Sequence, residues 1–144
     1  MHPFVLDKTT FLNVDLRIYS KSDLRPLVDA MGDKIIELYV GREGRMFKAQ
    51  LELASRHPKS PESAIREYCK LIQELPQAAR ELWDSARVRE FDIGIEAPKA
   101  TKFYWFSIAP TVIKAASEIN AYIVVTIYGL MKKARKPRKA VSPK

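Results

Sequence analysis

In residues 11–20, FLNVDLRIYS, apolar and polar side chains alternate from Leu12 to Tyr19. Leu12, Val14, Leu16 and Ile18 fall on one side of an extended chain, and Asn13, Asp15, Arg17 and Tyr19 on the other. Side chains of a strand point to opposite faces in turn, so this pattern predicts a strand with one buried and one open face. A sheet of such strands needs a cover on one side only. The rest of the chain has to supply that cover, and the uncovered face is where a function is to be sought.

The cover is legible. In SDLRPLVDAMG, Ser22 reads as an N-cap, Leu24, Leu27, Val28 and Met31 form a helical stripe, and Gly32 is a stop. KIIELYV and MFKAQLELA alternate on either side of GREGR, which predicts a hairpin with a loop of about five residues. Ser60 followed by Pro61 marks the start of a long helical segment in which Ala64, Ile65, Tyr68, Leu71, Ile72 and Leu75 share a face. Pro76 interrupts that segment, so two helices or a bent one are expected, with Trp83 as a core anchor beyond the break. FDIGIEA and KFYWFSI read as two further strands, PTVIKAASEIN as a short helix and AYIVVTIYG as a last strand. The order β-α-β-β-α-(α)-β-β-α-β predicts an α+β fold, a two-layer sandwich with a mainly antiparallel sheet and helices on one face.

With 144 residues, 47% hydrophobic and 29% charged, residues 1–130 suit a single domain with a modest core. No apolar run approaches the roughly 20 residues of a membrane helix. MHPFVLDKTT lacks the basic and apolar regions of a secretory signal. Cys69 is the single cysteine, so no intrachain disulfide forms. These features predict a reduced, cytoplasmic protein with no membrane partner. The net charge of +8 is unevenly placed: seven positive residues and no acid lie in MKKARKPRKAVSPK, residues 131–144. The remainder is nearly neutral. The basicity belongs to a C-terminal tail, expected to be flexible, and Lys132, Lys133, Arg135, Lys136, Arg138 and Lys139 are the residues through which nucleic acid or another acidic partner would be held.

FDIGIEA, a segment ending in FSIAP, an apolar helix and IVVTIY together resemble an uncharacterised bacterial family of small α+β domains of unknown function. Pro110 matches the family's helix-start proline, and Ile127 and Tyr128 match its closing pair. Ala109 stands where the pattern has serine, and Asn120 where it has glycine. The resemblance covers about residues 62–128 and is strongest over 91–128. It implies the fold, and the family carries no established activity to transfer. Small families of this kind include immunity proteins that neutralise bacterial toxins.

The candidate site is the open face. Alternation assigns to it Asn13, Asp15, Arg17 and Tyr19, then Glu37 and Tyr39, then Lys48, Gln50 and Glu52, then Asp92, Gly94 and Glu96, then Trp105 and Ser107, and finally Val124, Thr126 and Tyr128. Tyrosine and tryptophan among charges of both signs suit a protein interface. Asp15, Arg17, Glu37, Tyr39, Asp92, Glu96, Trp105 and Tyr128 are its predicted contact residues. The carboxylates repel phosphate, and the basic-aromatic strand of an RNA-binding sheet is absent. Asp92 and Glu96 start about 13 Å apart along a strand, beyond the roughly 5–9.5 Å of paired glycosidase carboxylates. GREGR lacks the lysine-serine/threonine ending of a phosphate loop. Cys69 lies beside an apolar stripe and reads as a small buried hydrophobe, although His57 could in principle pair with it. With His2 and His57 as the only histidines, no zinc-ligand spacing exists, and no other metal or cofactor is implied. The expected function is non-enzymatic: an immunity or antitoxin-like protein that occludes a protein partner such as a toxin, with nucleic-acid binding through the tail as the alternative.

Overall fold

The computed structural model describes residues 8–55, 60–99 and 103–129. His2, His57 and the basic residues of the tail, Lys132 to Lys139, lie outside the described residues. The elements run β1 (Thr10–Ser20), α1 (Arg25–Met31), a 3-10 turn (Gly32–Lys34), β2 (Ile35–Glu43), β3 (Met46–Leu53), α2 (Pro61–Gln73), α3 (Gln77–Ser85), β4 (Val88–Glu96), α4 (Pro110–Glu118) and β5 (Tyr122–Tyr128). The strands form one sheet in the order β2-β3-β1-β4-β5. Every pair is antiparallel except β4 with β5, which is parallel. This is the expected α+β class, with one strand fewer among the described residues than the alternation predicts.

One face of the sheet is sealed. Val14, Leu16 and Ile18 of β1, Ala49, Leu51 and Leu53 of β3, and Phe91, Ile93 and Ile95 of β4 are buried with Leu27 and Val28 of α1, Ile65 and Ile72 of α2, Trp83 of α3 and Val112 of α4. Each large apolar side chain so buried contributes on the order of 1.5–3 kcal/mol. Tyr68 crosses the two layers. Its ring stacks on Phe91 with centroids 5.3 Å apart. Its hydroxyl donates to the Val14 carbonyl at 2.8 Å, with the Leu51 carbonyl at 3.3 Å. A buried tyrosine thus keeps its polar tip paired. Burial, with the carboxylates of Asp15 and Glu52 behind it, pushes the hydroxyl far above its ordinary pKa.

The helices α2, α3 and α4 are bounded where their sequence says they should be. Ser60 accepts from the Ser63 amide while the Ser63 hydroxyl accepts from the Ser60 amide, a reciprocal cap with Pro61 in the first turn. Pro76 divides α2 from α3 and stands at the N-cap of α3. Asn120, φ 57°, ends α4 in the left-handed conformation that asparagine tolerates. Trp83 is fully buried and its Nε1–H donates to the Ile119 carbonyl at 2.9 Å. Arg89 donates to the carbonyls of Trp83, Ala86 and Asn120, pinning the end of α3 and the α4–β5 turn to β4.

Five expectations need correction. KFYWFSI is not a strand: residues 103–109 carry no regular structure. They belong to the crossover that a parallel β4–β5 pair requires. Phe106 and Ile108 pack on the core, whereas Phe103 and Trp105 are each 73% exposed. Among the described residues, β4 is thus followed by α4 and not by a strand. The first hairpin is tighter than expected, because Glu43 pairs with Met46 and only Gly44 and Arg45 turn. Gly44 has φ +65° and Arg45 does not share the positive sign, the pattern of a two-residue turn that opens on glycine. Ser22 does not cap α1; Asp23 Oδ1 accepts from the Arg25 amide instead. Leu12 does not enter the core, since an irregularity between Phe11 and Asn13 shifts the register and Phe11 packs inward in its place. A second irregularity between Glu37 and Tyr39 makes Leu38 the extra residue and puts Glu37 opposite Leu51, on the helix side.

The open sheet face as candidate functional site

Register fixes what the open face carries. Arg17 and Tyr19 of β1 pair with Gln50 and Lys48 of β3, and Asp15, Arg17 and Tyr19 pair with Asp92, Glu90 and Val88 of β4. Gly94 and Glu96 of β4 pair with Thr126 and Tyr128 of β5, and Tyr39 of β2 pairs with Gln50. Directly opposed residues share a side, so the alternation reading places Asp15, Arg17, Tyr39, Asp92, Glu96 and Tyr128 correctly on one face. Three predicted members are absent from it: Glu37, Trp105 and, two residues beyond Trp105, Ser107. Glu37 lies on the other side, where both its oxygens accept from Arg25 of α1 at 2.7 and 3.1 Å, and that guanidinium holds its carboxyl below the usual range. Trp105 lies in the crossover. Leu12, Glu90 and Tyr122 join the face although the alternation reading did not put them there. Leu12 arrives through the register shift, which leaves no mark in the sequence. Glu90 and Tyr122 follow from extending the period of β4 and β5 by one step toward their N-termini.

The face has two unlike halves. At the hairpin end, Lys48 Nζ lies 5.6 Å from the centroid of the Tyr19 ring and 5.9 Å from that of Tyr39. The ammonium is held between two aromatic faces, and Glu43 closes the group at 3.3 Å. Tyr39 turns back on its own strand, donating its hydroxyl to the Arg42 carbonyl, with Gly41 beneath it.

The opposite half is a cleft of about 360 Å³ lined by Leu12, Asn13, Asp15, Glu52, Asp92, Gly94, Glu96 and Tyr128. That volume is at the small end of ligand pockets, roughly 300–1,000 Å³, and suits a side chain better than a large cofactor. Its floor is Gly94. A methyl group placed there would sit 3.5 Å from the Asn13 carbonyl oxygen and 3.6 Å from the Tyr128 ring, ordinary contact distances. The glycine leaves the cleft hollow; a larger side chain would fill it.

Four carboxylates ring the cleft, and they are not equivalent. Asp92 is only 5% exposed, although it lies on the open side of the sheet. Arg17 Nη2 donates to its Oδ2 at 2.6 Å, and Thr126 Oγ1 donates to its Oδ1 at 2.7 Å. The same guanidinium reaches Glu90 Oε1 at 3.0 Å. Burial opposes the charge on Arg17, but Asp92 and Glu90 outweigh it and hold its pKa above the ordinary value. Asp15 accepts from Gln50 Nε2 at 3.1 Å and from Asn13 Nδ2 at 3.4 Å. Burial raises the Asp15 pKa; the Gln50 hydrogen bond opposes that shift, and the neighbouring charges of Glu52 and Asp92 add to it. Glu52 and Glu96 complete the rim. The cleft is thus a partly desolvated anionic site with one resident cation set to one side. Among the described residues, no three His, Cys, Asp or Glu side chains converge as metal ligands would.

The other reactive side chain is remote. Cys69 is buried in the helix layer, and burial pushes its thiol up to about 11, so it stays protonated near neutral pH. No helix among the described residues is long and apolar enough to cross a membrane. Comparison with protein-family models, with curated proteins and with solved structures returns no match for this chain.

Proposed function

We propose that this protein acts by binding, holding a protein partner against the open sheet face with a lysine or arginine of that partner seated in the cleft. The observation that carries this reading is the cleft itself. Asp15, Glu52, Asp92 and Glu96 surround an apolar floor of Leu12, Gly94 and Tyr128. Long cationic side chains bury their stems on apolar surface and present their charge at the tip, and the cleft offers both in that order. The particular form proposed is an immunity or antitoxin-like protein that occludes a toxin. The near-neutral charge of residues 1–130 gives a basic toxin little to recognise, but the acidity concentrated in this cleft supplies the complement locally. The nucleic-acid alternative rests on Lys132 to Lys139 and draws no support from this face, whose carboxylates repel phosphate.

The test is site-specific crosslinking in the producing cell. A photoreactive amino acid at Tyr128 should yield one dominant protein adduct, reduced several-fold by Glu96→Gln together with Glu52→Gln. Co-expression of the captured protein should restrict growth when the face is mutated and not when it is intact. Equal adduct yield from a position on the helix side, such as Lys70, would refute use of the open face. Electrophoretic shift of a duplex oligonucleotide that vanishes on deletion of residues 131–144 would favour the alternative.

A further inference from the structure

β5 has the sequence of an interior strand and the position of an edge. Its run YIVVTIY is apolar or aromatic at every position but Thr126, with no charge, glycine or proline. Parallel strands read that way when both of their faces are covered. Here Tyr122 is 69% exposed, Val125 48%, Ile127 66% and Tyr128 44%. The far edge of the sheet is defended in the ordinary way. β2 carries Glu37, Arg42, Glu43 and an irregularity at Leu38, devices that discourage pairing with a foreign strand. The β4–β5 ladder has no register shift, and among the described residues nothing pairs with the outer side of β5.

The direction of the backbone groups is fixed by one bond. The Tyr128 carbonyl accepts from the Ala97 amide at 2.8 Å, so the polar groups of Tyr128 point toward β4. These groups alternate sides along a strand, so those of Ile123, Val125 and Ile127 point out of the sheet. The side chains of Ile123, Val125 and Ile127 lie on the helix side, because they pair with the buried Phe91, Ile93 and Ile95. The helix layer stops short of them: Ile123 packs on the core, and Val125 and Ile127 stay bare.

We propose that a second copy of this chain occupies the edge, its β5 laid antiparallel across a two-fold axis at Val125. The strand reads nearly the same in both directions about that residue. Tyr122 then faces Tyr128 of the second copy, Ile123 faces Ile127, Val124 faces Thr126, and Val125 faces its own counterpart. The outward-pointing backbone groups fall opposite one another, as a hydrogen-bonded antiparallel pair requires. Ile127 of the second copy lands beside Ile123, at a groove of about 530 Å³ that Ile113, Ala116 and Ala121 help to line. On the open face, Tyr122 of the second copy stands next to Tyr128 and extends that wall of the acidic cleft. Tyr122, Val125, Ile127, Tyr128 and the 50%-exposed Ile113 offer on the order of 500 Å² per copy, at about 200 Å² for a bare aromatic and somewhat less for an aliphatic side chain. Two copies reach about 1,000 Å², the lower bound of a specific interface, before the backbone ladder is counted. A two-fold contact closes on itself, and with β2 defended the assembly ends at two copies. None of this rests on the function proposed above.

The experiment is sedimentation velocity of the full chain in isolation over a wide range of concentration. Wild type should pass from one chain to two as concentration rises and go no further. Each copy carries a net charge of +8, so salt should tighten the pairing. Val125→Lys and Val125→Asp should each weaken it several-fold, because each sets like charges face to face. An equimolar mixture of these two variants should recover the dimer, since lysine then meets aspartate, and recovery also shows that both variants fold. Ile127→Lys, at a more exposed site, should weaken the pairing likewise. Amide exchange of wild type should slow with concentration at Ile123, Val125 and Ile127 and not along β2. A single chain at every concentration, association that Val125→Lys leaves intact, association that salt dissolves, or growth beyond two copies would each overturn the proposal. So would a mixture of the lysine and aspartate variants that stays monomeric while both keep the circular dichroism of wild type. In the crosslinking test above, a self-adduct from Tyr128 has the mass of two copies and is indifferent to Glu96→Gln with Glu52→Gln, so the failure of either reading is recognised separately.

Discussion

Arg17→Met is the substitution by which the electrostatics of the face stand or fall. Methionine keeps the apolar stem against the sheet and removes only the guanidinium. Two interactions go. The Glu90 contact joins side chains 23% and 26% exposed and behaves as a surface pair, worth about 0.2–1 kcal/mol. The Asp92 contact is different, because Asp92 is 5% exposed and is left with Thr126 as its remaining donor. Stranding a buried charge costs about 3–5 kcal/mol, and the partial exposure of Arg17 moves this case to the low end. The expected loss is about 3 kcal/mol at neutral pH, a fall of roughly 10 °C in melting temperature for a domain of this size. Adding Asp92→Asn to Arg17→Met should recover about 2 kcal/mol, since the amide no longer demands a cation. Urea denaturation of the wild type, both single variants and the double variant gives the coupling energy directly. A loss below about 1 kcal/mol, or a double variant no more stable than Arg17→Met alone, would show that water already solvates Asp92 and that the cleft is not desolvated.

Asp15→Asn tests the same environment through pH. The folded pKa of Asp15 lies above its ordinary 3.8, so its ionisation costs stability at neutral pH and that cost disappears as pH falls through the folded value. Wild type should therefore gain on Asp15→Asn as pH drops toward 4; a constant or opposite difference in urea midpoints argues against it. Gly94→Ala should fold with stability within about 0.5 kcal/mol of wild type by thermal melting, because its methyl meets only ordinary contacts, whereas Gly94→Leu should fill the cleft and abolish crosslinking from Tyr128. Trp105→Ala, at a site 73% exposed, should change stability by less than about 0.5 kcal/mol, while Trp83→Phe should lose about 1–3 kcal/mol by leaving the Ile119 carbonyl without its buried donor. Similar melting temperatures for these two variants would contradict the packing described.

The alternation of residues 13–20 was sufficient to place Asp15 and Arg17, because a period of two admits no other face once Val14, Leu16 and Ile18 are buried. The same rule failed where a register shift interrupted it. Leu12 and Glu37 each changed sides across an irregularity; Gly94, opposite Asn13, and Gly41, two residues past Tyr39, lie beside these shifts but do not say which residue becomes the extra one. The aromatic segment misled for another reason. Strand propensity measures how well a side chain suits a half-buried pleated surface, and Phe106 and Ile108 find such a surface by lying on the core without joining a ladder. The pairing of β4 with β5 in parallel is decided by the crossover and the packing of α4, which no local pattern encodes. The burial of Asp92 is a further consequence of neighbours brought from β1 and β5, so a strand read alone shows it as one more solvated acid.

β5 is an outermost strand, laddered on one edge only, and it is reached through a long parallel crossover. Pairings of that kind complete late in folding and open early under native conditions. Thr126 and Tyr128 travel with this strand, one a donor to Asp92 and the other a wall of the cleft. When β5 lifts away, the cleft loses its Tyr128 wall and Asp92 its Thr126 donor, while the antiparallel sheet of β1 to β4 keeps its core. The lifetime of the site is then the lifetime of the least protected strand. A bound partner should register first as slowed amide exchange along Tyr122–Tyr128, with the amides of β1 scarcely altered.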